Sequence, residues 1–184
     1  MRGGWCAGLL ASMVLLGSSA GHAASEKVDC SRLSLEFPPA DKADWSECYV
    51  YHYSEGAEEA NAEVETLIAD IGTHVVHLTS VVAGRNTYLH KEPVSSKISD
   101  YDELEDVVTG STEPSFERYQ ILRFRATLWK APADCIGFVK YGGGSITQGG
   151  STYGAHTYLA GYDCWRNGAP DRSQIEATLD AIDD

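Results

Sequence analysis

Cysteine placement constrains this chain more than any other feature. There are five cysteines, and Cys6 falls inside an amino-terminal segment that reads as an export leader. In residues 1–23, Arg2 supplies a positive start and Leu9 to Leu16 a short apolar run. Gly21-His22-Ala23 then offers small residues for cleavage before Ala24. The run from Trp5 to Leu16 is broken by glycine and falls short of the roughly 20 apolar residues of a spanning helix. A lipoprotein leader would need a cysteine directly after the apolar run, whereas Cys6 comes too early and Cys30 follows Val28-Asp29. Cleavage leaves Cys30, Cys48, Cys135 and Cys164, and an even number in an exported chain reads as two disulfides. Three pairings are open. Cys30–Cys48 and Cys135–Cys164 are favoured because each closes a local segment, with about 3–4 kcal/mol expected from each. Zinc ligands are normally spaced more closely, and no CxxC or HxxxH involves these cysteines.

Removing 23 of the 184 residues leaves 161, read as one globular domain over residues 24–184. Lys and Arg number 14 against 27 Asp and Glu, a net charge of −13 that becomes −14 when Arg2 is lost. Phosphate neutralisation needs clustered cations, so a nucleic-acid partner is excluded as an expectation. At 43% hydrophobic and 22% charged, with 18 Gly and 6 Pro, the chain is not collagen-like, coiled-coil or low-complexity.

Along the chain, Leu33, Leu35 and Phe37 alternate as in a short strand, and Trp45 to Tyr53 reads as a second. Ala57 to Ile71 carries apolar residues at helical spacing, with Ser54 as N-cap and Gly72 as stop, and predicts a helix. Thr73 to Ala83 is β-branched and predicts a strand; Gly84 to Lys97 reads as a loop. The acidic stretch Asp100 to Asp106 suggests a short helix, and Gly110 to Pro114 a turn. Tyr119 to Leu128 alternates clearly: Leu122, Phe124, Ala126 and Leu128 point to a core, Arg123, Arg125, Thr127 and Trp129 to water. Cys135 to Tyr141 and Thr157 to Cys164 predict a hairpin in which Tyr141 faces Tyr158 if Cys135 faces Cys164. Ser173 and Glu176 read as a capping box for a helix Gln174 to Ile182. The fold expected is α+β: an antiparallel sheet of about five strands, two helices packed on one face, and two disulfides.

Catalytic motifs are sparse. His74 and His77 would point to opposite faces of a strand, and their convergence with His52 or His156 is not decided by spacing. His90 reads as solvated, and His22 leaves with the leader. No Gly-x-Ser-x-Gly elbow occurs, and the glycine-rich stretch Gly142 to Gly154 lacks the lysine and helix of a phosphate loop. The acids at 100–106 lack the order of a calcium loop. No cofactor and no metal site is implied. Positive charge gathers at Arg123, Arg125 and Lys130 beside Trp129, residue types that dominate binding hot spots. Tyr153 in the glycine-rich loop joins Arg123, Arg125 and Trp129 as a candidate contact.

Cys135-Ile136-Gly137-Phe138, then Leu159-Ala160-Gly161-Tyr162-Asp163-Cys164, then Gly168-Ala169-Pro170 and a closing helix resemble the carboxyl-terminal end of small exported proteobacterial proteins of unknown function. The resemblance implies a Cys135–Cys164 bridge and a Gram-negative periplasmic setting. It implies no activity and carries over no site residues.

The expectation is a periplasmic or secreted, non-enzymatic accessory domain that binds a protein or envelope component without entering the membrane. The alternative is a small hydrolase or metal-dependent enzyme using clustered histidines and carboxylates. A structural envelope component is a third class.

Overall fold

The computed structural model describes residues 25–55, 60–84, 87–143, 146–148 and 151–182; residues 1–23, read above as a leader, lie outside them. Two meanders meet in the middle of one antiparallel sheet. The first runs inward through β1 (Glu26–Val28), β2 (Trp45–Glu55), β3 (Ala60–Asp70) and β4 (His74–Ala83). After β5 (Leu89–His90) and α1 (Val94–Ile98), the chain crosses to the far edge. It then runs inward again through β6 (Leu104–Phe116), β7 (Tyr119–Leu128), β8 (Ala131–Gly142) and, after an excursion, β11 (Thr157–Trp165). The order is β1-β2-β3-β4-β11-β8-β7-β6, eight strands. The excursion holds β9 (Ile146–Gln148) and β10 (Ser151–Ala155), and β10 pairs with both β9 and β5 in a three-stranded sheet. Helix α2 (Arg172–Asp180) follows β11.

The helices lie on opposite faces, each over its own core. Val94 and Ile98 of α1 pack with Leu122, Phe124, Val139 and Tyr162. Ile175 and Leu179 of α2 pack with Leu33, Leu35, Phe37, Ile121, Phe138 and Leu159. The central strands are therefore buried on both sides, and the fold is not the five-stranded sheet with two helices on one face that the sequence suggested.

The β8–β11 hairpin matches its expected register. Cys135 faces Cys164 and Tyr141 faces Tyr158. Both disulfides form as favoured, Cys30–Cys48 with Cα atoms 5.2 Å apart and Cys135–Cys164 with 4.1 Å. The same register sets each glycine of the two cysteine motifs opposite an aromatic ring, Gly137 against Tyr162 and Gly161 against Phe138. Gly137 also makes room for α1: a Cβ there would lie 2.5 Å from Ile98 Cδ1. The Tyr141 hydroxyl pins the chain entering α1, accepting from the Glu92 N–H at 2.8 Å and donating to its carbonyl at 2.9 Å.

Ala60 to Asp70 is a strand, not part of a helix; residues 57–59 lie outside the described residues. It pairs along its length with β2 and β4, which outweighs the helical leaning of its Ala and Glu residues. The Glu65 carboxylate accepts from the Ser34 and Leu35 amides and the Ser34 hydroxyl, tying the amino-terminal segment to the sheet. That segment forms 3-10 turns at Cys30–Arg32 and Pro38–Lys42 rather than a strand, although Leu33, Leu35 and Phe37 are buried alternately as expected.

Of the acids at 100–106, Asp100, Asp102 and Glu103 lie in the turn before β6 and Glu105 and Asp106 in β6 itself, while the short helix α1 falls at the end of the stretch expected to be a loop. Gly110 and Pro114 lie within β6. Its register against β7 shifts between Glu105 and Val108, Thr109 and Thr112, and Glu113 and Phe116, so 13 residues oppose 10. Glycine and proline are tolerated there because β6 is an edge with bulges. The cap of α2 is Asp171 with Gln174, two residues before the expected Ser173 and Glu176; Ser173 instead donates its hydroxyl to Asp171.

Candidate functional site

The three tryptophans among the described residues, Trp45, Trp129 and Trp165, gather at one end of the sheet. Cross-strand register lines up Arg125, Asp134, Trp165 and His74 on β7, β8, β11 and β4. Trp45 opens β2 at the same end, opposite Asp70. Trp129 projects from the β7–β8 turn, at φ 50°. Four or five strand spacings, roughly 19–24 Å in a flat sheet, separate Trp45 from that turn. Their ring centroids nevertheless lie 5.5 Å apart, so the sheet coils strongly. The pair remains open to solvent, Trp45 39% and Trp129 44% exposed.

Beside the Trp129 turn lies a cleft of about 480 Å³, walled by Asp106, Val108, Arg125, Asp134, Trp165 and Arg166. Arg125 and Asp134 also border a smaller neighbouring depression of about 240 Å³. Arg166 is anchored: its guanidinium grips both Asp70 carboxylate oxygens and the Gly72 carbonyl. That hydrogen bonding holds the Asp70 carboxyl below the usual carboxylate range and raises the Arg166 pKa. Arg125 is exposed and, among the described residues, has no ion-pair or hydrogen-bond partner.

Of the candidates from the sequence, Arg125 and Trp129 thus belong to one end. Arg123 is held by Glu113 and donates to the Pro170 carbonyl at 2.8 Å, an ordinary cross-strand pairing. Its face is not simply wet, because Tyr119 and Ile121, which share it, are buried. Tyr153 lies on β10, its side chain outside the described residues. Trp45, Asp134, Trp165 and Arg166 were missed. The hairpin register already carried a signal for two of them, since extending Cys135–Cys164 by one pair sets Asp134 opposite Trp165.

His74 and His77 point to opposite faces, each against a carboxylate. His74 Nδ1 lies 2.7 Å from Asp163, whose other oxygen accepts from the Thr178 hydroxyl of α2 at 2.8 Å. The Trp165 ring covers this imidazole at 4.2 Å. His77 Nδ1 lies 2.5 Å from Glu103, which also accepts from the Tyr162 hydroxyl. Burial raises the Glu103 pKa, but the His77 and Tyr162 contacts together with its own backbone N–H bring it below the ordinary value. Burial keeps the Tyr101 and Tyr162 hydroxyls protonated. Both imidazoles thus serve the two cores, and the side chain of His52 lies outside the described residues. Among the described residues, no group of three or more His, Cys, Asp or Glu has metal-binding geometry. No helix among them is long and apolar enough to cross a membrane.

No protein family, curated protein or solved structure matches the chain.

Proposed function

We propose that this protein is an exported, non-enzymatic binding domain that engages its partner or an envelope component through the tryptophan-bearing end of the sheet. The observation that carries this reading is Arg125: a guanidinium without a partner among the described residues, opening on a cleft beside an exposed tryptophan pair. Arginine and tryptophan are the residue types that supply most binding energy where they are used. The two disulfides and the leader-like amino terminus support delivery to an oxidising compartment, the periplasm or the exterior. The resemblance of the carboxyl-terminal end to exported proteobacterial proteins favours the periplasm.

The test uses the disulfide-intact protein as bait on envelope fractions. Arg125→Ala and Trp129→Ala should each lose whatever the unaltered protein retains, since both side chains are exposed and their removal leaves the cores intact. Retention unchanged in both variants removes this end of the sheet from the function.

A further inference from the structure

We infer that the tryptophan-bearing end binds a neutral saccharide. The inference rests on reading that end as a binding site and adds the class of ligand. Arg125 and Asp134 stand directly opposite each other on β7 and β8, yet no ion pair joins them among the described residues. A guanidinium offers only donors and a carboxylate only acceptors. Side by side and uncommitted, they match a pair of neighbouring sugar hydroxyls, each of which both donates and accepts. Asp106 and Arg166 also stand on the cleft wall, Arg166 keeping its grip on Asp70.

Charge narrows the class further. The chain as a whole carries −13, and this cleft sets Arg125, together with an Arg166 already paired to Asp70, against Asp106 and Asp134. A basic partner would meet the Arg125 guanidinium, and an anion would meet Asp106 and Asp134. A neutral ligand meets no unfavourable charge here. Trp165 walls the cleft, its indole N–H having no hydrogen-bond partner among the described residues. Trp129 rises from the turn between two further wall residues, Thr127 and Pro132, and with Trp45 presents apolar ring surface of the kind that packs against sugar C–H faces. About 480 Å³ lies within the range of small-molecule sites, about 300–1,000 Å³.

The experiment probes an array of neutral and anionic glycans with disulfide-intact protein, followed by calorimetry on the best binder. The expected result is retention on neutral glycans, with Arg125→Gln, Asp134→Asn and Trp129→Ala each weakening affinity about tenfold at unchanged melting temperature. Retention on anionic glycans alone, or on none, overturns the saccharide. If no glycan binds while Arg125→Ala still abolishes envelope capture, the ligand class is wrong and the binding site stands. If capture is indifferent as well, both readings fall.

Discussion

The two faces of the sheet are built from the same parts and differ in how well those parts are sealed. Each carries a helix, a disulfide cysteine in its core, a glycine set against an aromatic ring, and a histidine–carboxylate pair. On the α2 face, Asp163 is fully buried and both its oxygens are engaged, by His74 and Thr178. On the α1 face, the Glu103 side chain retains 28% of its exposure beside His77. The disulfides reverse this ranking. Cys135 and Cys164 are both buried in the α1 core, whereas only Cys48 of the other pair is buried and Cys30 lies at the margin. Burial of a polar group therefore does not follow from the face it occupies. It follows from distance to the sheet's centre, where β4, β11 and β8 are covered twice over.

The largest effect is expected at the cross-links. Replacing Cys135 and Cys164 together by alanine should cost about 4 kcal/mol, and the Cys30/Cys48 double replacement about 3 kcal/mol, by denaturant unfolding. Under limited reductant, Cys30–Cys48 should open first, read by alkylation and mass spectrometry. Simultaneous opening would show that marginal and central placement do not matter.

The carboxylates come next. Asp163→Ala strands His74 and Thr178 and should cost about 3 kcal/mol, against about 2 kcal/mol for Glu103→Ala, where water entering at the partly exposed carboxylate position replaces part of the contacts to His77 and Tyr162. Equal losses would show that the two carboxylates are sealed alike. The smallest effect is acid sensitivity. Glu103 and Asp70 both hold folded pKa values below their ordinary ones. Their stabilisation is complete above the unfolded values, about pH 4, and is lost as pH falls through the lower folded ones. Melting temperature should decline over that acid range, and Glu103→Gln should flatten part of the decline.

The hairpin of β8 and β11 was legible because two cysteines pin one register, and every other pair follows from it by counting. β7 was legible by alternation, and β4 by its β-branched run. β3 was not. Its residues sit in the sheet with Leu67 and Ala69 on one face and Thr66 and Ile68 on the other, so cover on both sides erased the alternation and left a pattern of helical spacing. β6 misled for the opposite reason: an outer edge with three bulges accepts glycine and proline that would break an inner strand. Within the site, Arg125 and Trp129 showed themselves by residue type alone. Trp45 could not, since its meeting with Trp129 depends on how far the sheet coils between them.

The pairing order has a bearing on biosynthesis. The strand that fills the centre of the sheet, between β4 and β8, is the last one made. Until Thr157 to Trp165 is in place, the two halves present raw inner edges to each other and to any neighbouring chain. Assembly is thus a zip closed from the tail, and the bond from Cys164 back to Cys135 is the latch that holds it shut.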